Sequence, residues 1–279
     1  MFAGAKSSPS PVSMLDLEFA ELSDVGRVRG HMEDYSGHWT PPSELDGRTH
    51  GWLFAVADGV GGEDRGEVAS QTAIETLIAG FRAAPKGEAH TVLMPRLVQS
   101  ANTRIYELGR AASPGGSRMS TTIVACAFRY DRVIVAHVGD SRCYLIRRGT
   151  ASQVTRDHTV VAEQVRLGLL SPREAAEAET RHLLSRSLGN DLFVNVEIDD
   201  RQVQVDDVLL LCSDGLHGPV DGTEIGEIVK WNPNLETAAR KLIALANERD
   251  GGDNVSVQLI RVRGVERMGM YRGRPYKLR

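Results

Sequence analysis

TTIVACAFRYDRVIVAHVGDSRCYLIR, residues 121–147, decides the architecture. Three apolar runs, Thr121 to Phe128, Arg132 to Val138 and Arg142 to Arg147, follow one another across short gaps, which predicts an antiparallel meander. On the N-terminal side, Trp52 to Ala57 is continuously apolar, as expected of a strand buried on both faces. Leu15 to Leu22 alternates in part. Val194 to Ile198, Val208 to Cys212 and Asn254 to Val262 complete the strands. Glu67 to Phe81 and Val92 to Leu108 carry helical periodicity. Further helix starts are signalled by Ser171-Pro172-Arg173-Glu174, by Asp221-Gly222-Thr223-Glu224 and by Asn234. Strands are segregated from helices, which favours a layered α+β fold over a doubly wound parallel sheet.

The 279 residues are 41% hydrophobic and 25% charged, enough for a large core on a well-solvated single domain. A net charge of -4 argues against a general nucleic-acid binder. No apolar stretch approaches the roughly 20 residues that span a bilayer. The start, MFAGAKSSPSPVSM, is too polar for a secretory signal. The expectation is a soluble, cytoplasmic monomer with no nucleic-acid or membrane partner. Cys126, Cys143 and Cys212 lie in or beside apolar runs and read as buried reduced thiols. Residues 1–14, rich in Ser and Pro, read as a disordered arm. Residues 15–263 read as one domain and 264–279 as a basic tail carrying Arg267, Arg272, Arg274, Lys277 and Arg279.

Acidic residues recur at strand ends beside glycines. Asp58 precedes Gly59, Asp214 precedes Gly215, and Asp253 and Asn254 open the last strand. Asp140 sits between two strands, and Glu33 and Asp34 follow Arg29 after the first strand. Any one of these is explained by turn preference. Together they describe carboxylates that repel unless a cation lies among them. Oxygen-only ligands point to Mg²⁺ or Mn²⁺. Two such ions can lower the pKa of a bridging water for attack on phosphorus. Arg29 is a fork for phosphate oxygens, or a plain surface arginine.

The ordered set RGHMED (29–34), FAVADGVGG (54–62), the Thr pair at 121–122, VGDSRCYLI (138–146), TRDHT (155–159), LLSRSLG (183–189), LLLCSDGL (209–216) and GGDNVSV (251–257) resembles the metal-dependent protein phosphatases. This is the PPM family, also called type 2C, and the likeness is to its bacterial-type serine/threonine members. The resemblance implies an α-β-β-α sandwich of two antiparallel sheets flanked by helices, with a metal cleft at one edge. Its activity would be hydrolysis of phosphoserine and phosphothreonine in phosphorylated proteins, the targets of a serine/threonine kinase. By position, Asp58 would bridge two core Mg²⁺ or Mn²⁺ ions, with the Gly59 carbonyl on one and Asp214 and Asp253 on the other. Glu33 would act on the Gly59 side, with Asp34 in support and Arg29 on the phosphate. Asp140 and Asp214 would hold a third, weaker ion, and Asn254 would brace the ligands. Many eukaryotic-type members carry a proton-donating His where this chain has Val60. Residues 160–181 correspond to the family's variable flap, beside the substrate path. Rival readings are a pseudophosphatase, which predicts lost ligands, and a hydrolase of small phosphorylated metabolites. A calcium protein is disfavoured by the absence of EF-hand spacing.

Overall fold

The computed structural model describes residues 14–60, 65–112, 119–271 and 274–277. Nearly all of the expected arm, residues 1–13, lies outside the described residues. In chain order come β1 (Asp16–Asp24), β2 (Tyr35–Trp39), α1 (Glu44–Thr49), β3 (Trp52–Ala57), α2 (Gly66–Ala83) and α3 (His90–Ala111). Four strands follow: β4 (Ile123–Arg129), β5 (Arg132–Val138), β6 (Arg142–Arg147) and β7 (Thr150–Gln153). Then come α4 (Val160–Arg166), α5 (Pro172–Glu177), β8 (Glu197–Gln202), β9 (Val208–Cys212), α6 (Asp214–His217), α7 (Gly222–Trp231) and α8 (Leu235–Arg249). The chain closes with β10 (Val255–Gly264), β11 (Met268–Tyr271) and β12 (Arg274–Lys277).

Two five-stranded antiparallel sheets form, in the orders β1-β10-β9-β6-β7 and β2-β3-β4-β5-β8. The period of two along each strand assigns their faces. In β3, Phe54 and Val56 point to the opposite sheet, where they meet Leu209, Leu211, Ile260 and Val262. Leu53, Ala55 and Ala57 point the other way, against Ile74, Leu77 and Phe81 of α2 and Leu97 of α3. In β9, Leu210 and Cys212 face α8 residues Leu242 and Ala246. Both faces of each sheet are therefore dry, which is why these strands read as unbroken apolar runs. The result is the expected α-β-β-α sandwich.

The meander expected over residues 121–147 is corrected. β4 and β5 form a hairpin, but β6 leaves for the other sheet and pairs with β7 and β9. Gly139 makes the turn at φ 104°, a conformation that disfavours a side chain; a Cβ there would also lie 2.6 Å from Thr122 Cβ. The segment expected at Val194 to Ile198 becomes β8 at Glu197–Gln202, because pairing to β5 sets its register. Val194 and Val196 instead pack against the helical core. Between β2 and β3, Ser43 caps the short helix α1, its side chain accepting from the Asp46 N–H. The stretch expected as a tail contains the β11–β12 hairpin.

Candidate metal centre

Strand register gathers the carboxylates. Tyr35 pairs with Ala57, so Asp34 and Asp58, one step beyond each, leave their sheet side by side. In the other sheet Cys212 pairs with both Arg142 and Val257. Asp140, Asp214 and Asp253 therefore leave that sheet at one shared end. Two contacts then join the sheets: Ser213 Oγ donates to Asp34 Oδ2 at 2.7 Å, and the Asp58 and Asp214 carboxyls come close enough to interact.

Carboxyls gathered this closely and buried repel one another, which favours their neutral forms. Burial, followed by the fields of Asp34, Asp214, Asp140 and Asp253, pushes Asp58 well above the usual carboxylate range. Burial pushes Asp34 up to about 7, with Asp214 and Asp253 adding repulsion and hydrogen bonds from Ser213 and Ser256 opposing it. Burial and then Asp214 and Asp157 push Asp140 up to about 7. Burial acts on Asp214 as well, but His182, His217 and Asp58 outweigh it and hold Asp214 below its ordinary value. Five interacting acids require protons or cations among them. Their donors are all oxygens, so the set fits Mg²⁺ or Mn²⁺.

The backbone around the acids is fixed by neutral side chains. Thr121 Oγ1 donates to the Asp58 carbonyl at 2.7 Å, and the Asp58 N–H donates to Thr122 Oγ1 at 3.0 Å. Thr122 Oγ1 also shares a hydrogen bond with Ser141 Oγ at 2.6 Å, tying the Asp58 and Asp140 turns together. Asn254 braces the segment before Asp34. Its Oδ1 accepts from the Glu33 N–H at 2.6 Å, and its Nδ2 donates to the carbonyls of Val25 and His31. Gly59 is enclosed by backbone; a Cβ there would lie 2.4 Å from the Gly66 carbonyl oxygen and 2.7 Å from that of Glu33. Arg29 Nη2 donates to Asp253 Oδ2 at 2.9 Å, and Nη1 is 3.6 Å from Glu33 Oε2. The Arg29 side chain remains 40% exposed, so it borders the acids while facing the solvent side.

Every residue singled out from the sequence therefore lies in or against this cluster. Sequence reading missed Ser213, whose hydroxyl donates to Asp34, and Ser256, whose N–H donates to that same Ser213 hydroxyl. It also missed His217, whose Nε2 lies 2.9 Å from the Asp140 carbonyl oxygen and whose pKa burial lowers to about 4. His182, next to the flap, was missed as well; its Nδ1 is 3.7 Å from Asp214 Oδ2. Ser213 and His217 flank Asp214 within or beside the quoted CSDGL motif, so their neighbourhood was legible though their bonds were not. His31 is exposed, with Nε2 3.3 Å from Glu33 Oε1. His158 is structural: its Nδ1 accepts from the Gly139 N–H at 3.1 Å. With His137 and Glu197 it forms a group of metal-type ligands. The two rings stack at 4.7 Å and 15°, however, so no single point lies near both ring planes, where the nitrogen lone pairs point.

The protein phosphatase 2C family model matches residues 21–255, a span that holds every candidate ligand from Arg29 to Asn254. The chain belongs to that family. Among its protein phosphatase 2C relatives is the serine/threonine phosphatase Stp of Listeria welshimeri, 34% identical over 90% of this chain and 96% of its own length. The crystal structure of the Mycobacterium tuberculosis serine/threonine phosphatase PstP/Ppp is 33% identical, with TM-score 0.78 over 90% of this chain and all of that one. A PstP catalytic domain in complex with two manganese ions is 34% identical, with TM-score 0.77 and the same coverage.

Proposed function

We infer that this protein is a metal-dependent phosphatase that hydrolyses phosphoserine and phosphothreonine in proteins. The observation that carries it is the convergence of Asp34, Asp58, Asp140, Asp214 and Asp253, from both sheets, beside the exposed Arg29 fork. Asp58, the Gly59 carbonyl, Asp214 and Asp253 would hold two core Mg²⁺ or Mn²⁺ ions, with Glu33 and Asp34 in support. Asp140 with Asp214 would hold a third. When bound, these ions supply an activated water and offset charge on the phosphoryl oxygens. Arg29 orients the phosphate through paired N–H groups, held in place by Asp253 and Glu33. Asn254 and the Thr pair at 121–122 keep the acidic turns in position. Val60 offers no proton, so the leaving group is not protonated by the side chain at that position.

Among the described residues no helix is long and apolar enough to cross a membrane. We propose a cytoplasmic role in signalling, acting as a monomer on targets of a serine/threonine kinase. Covered outer faces of both sheets favour the monomer. Phosphate release from phosphothreonine and phosphotyrosine peptides, with Mn²⁺ or with EDTA, tests the reading. Release from phosphothreonine only with Mn²⁺ is expected. Full activity in EDTA would overturn it.

A further inference from the structure

The turn between β6 and β7, Arg148-Gly149, lies at the end of its sheet opposite the acids. β6 pairs with β9 from Arg142↔Cys212, beside the acids, to Ile146↔Val208 at the far end. At about 3.3 Å per residue, the far end is roughly 17 Å or more from them. A cavity of about 480 Å³ opens there. Arg147, Arg148, Lys230 and Arg261 line it, against Asp206 and Asp207. Four cations to two carboxylates leave the lining at +2, in a chain whose net charge is -4.

The cations are not equivalent. Arg147 is neutralised: its Nε and Nη2 donate to the two oxygens of buried Asp207, each at 2.7 Å. Arg261 Nη1 donates to the Pro233 carbonyl at 2.6 Å and is 3.6 Å from Glu18 Oε2, which Arg263 also holds at 2.8 Å. Arg148 and Lys230 have no ion pair among the described residues. Lys230 is positioned by its stem, because a Cβ on Gly149 would lie 2.5 Å from Lys230 Cδ. Its ammonium sits 5.0 Å from the ring centroid of Trp231. Ile146, Val208 and Val229 of the core close the floor. Trp231 and Val205 are exposed and leave apolar surface beside the cations.

A phosphoryl group carries nearly two charges and three acceptor oxygens, so one group can engage both the Arg148 fork and the Lys230 ammonium. The apolar margin suits a peptide around that phosphate; a bare ion would leave it unused. We propose that this pocket binds a phosphorylated serine or threonine of the protein substrate, a second one besides that hydrolysed at the metal centre. The proposal rests on the phosphatase reading above: one phosphate is held here while another reaches the acids.

Binding is read by fluorescence anisotropy of a labelled phosphothreonine peptide on full-length protein in EDTA, which prevents metal-dependent capture at the centre. Lys230→Met keeps the stem on Gly149 and removes the charge, and Arg148→Asn suits the φ of 54° at that position. The peptide should bind about 10-fold more tightly than its unphosphorylated form. The double variant Arg148→Asn, Lys230→Met should lose that preference, and Arg29→Ala should keep it. Equal affinity for the two peptides in wild type, or a preference lost only in Arg29→Ala, overturns the proposal. Inorganic phosphate that competes as well as the phosphopeptide makes this a site for the ion alone and overturns it too. With Mn²⁺, a peptide carrying two phosphothreonines about eight to twelve residues apart should show a KM about 10-fold below that of a singly phosphorylated one. The double variant should abolish that difference and leave hydrolysis of p-nitrophenyl phosphate unchanged. Equal KM values in wild type overturn the proposal, whereas failure of wild type to hydrolyse either peptide overturns the phosphatase reading beneath it.

Discussion

Asp58 and Asp253 come from opposite sheets, and the field of each bears on the same cluster. Asp58→Asn and Asp253→Asn should each lower turnover about 100-fold or more, because an anionic ligand is lost. Both variants should stay folded, since removing one carboxylate relieves repulsion in the metal-free state. Circular dichroism alongside phosphate release checks this; unfolding with normal specific activity in the folded fraction would make the residues structural. Arg29 has a different part. It is bound to Asp253 and Glu33 but exposed, so it meets the phosphate in the ground state. Arg29→Ala should raise KM about 10-fold with a smaller fall in kcat. Steady-state kinetics decides it, and unchanged constants would return Arg29 to an ordinary surface residue.

At the scale of elements, the site depends on how β3 hands over to α2. Gly59 ends that strand, with its N–H on the Glu33 carbonyl and the first residue of α2 packed over it. Gly59→Ala would drive a methyl into two carbonyl oxygens, both backbone and unable to swing aside. Overpacking of this kind costs about 1–3 kcal/mol. The expected outcome is a lower melting temperature together with weakened core-metal binding, read by thermal denaturation and Mn²⁺ titration. Wild-type values in both would show that the strand end is more yielding than its packing implies. The flap contrasts with this junction. α5 is held by a full capping box between Ser171 and Glu174, but Leu167, Leu169 and Leu183 around it stay exposed. It is an element completed by local bonds more than by burial, as suits a segment that borders a cleft.

For the whole molecule, the acids of the centre couple folding to pH. Asp58, Asp34 and Asp140 have folded-state pKa values raised above the ordinary carboxylate value, the latter two to about 7. An acid raised on folding stabilises the protein while neutral, and that stability is lost as pH rises through the folded value. Asp214 runs the other way, as do the buried His90, His158 and His217, which burial lowers to about 4 and which recover stability as pH rises to about 6.5. Above that range the raised acids set the slope, so metal-free protein should melt at a lower temperature at about pH 9 than at about pH 7. Mn²⁺ should raise the melting temperature more at the higher pH, where the carboxylates are free to bind it. Scanning calorimetry with EDTA and with Mn²⁺ measures both; a melting temperature that rises from about pH 7 to about pH 9 without metal would contradict the assignment of the cluster.

Much was legible locally. β3, β5, β6 and β9 fall where their apolar runs end, since a strand dry on both faces must be apolar throughout. The caps Ser171, Asp221 and Asn234 accept from the N–H groups of their helices as their sequences imply. The acidic strand ends were visible as a pattern, and the ordered motifs led to the family. Other elements gave little signal. β2, YSGHW, is short, partly exposed and carries Gly37, and β7, TASQ, is polar, so neither has the apolar run that marks a strand. What the chain alone could not decide is which strands share a sheet. Short gaps suggested that β6 continues the β4–β5 hairpin, whereas its partner β9 lies far along the chain. That choice belongs to the tertiary structure, because burying both inner faces at once, Phe54 and Val56 against Leu209 and Leu211, governs which strands pair. The same long-range packing sets His182 beside Asp214 and the Ser213 hydroxyl on Asp34, contacts between segments whose local sequence holds no trace of each other.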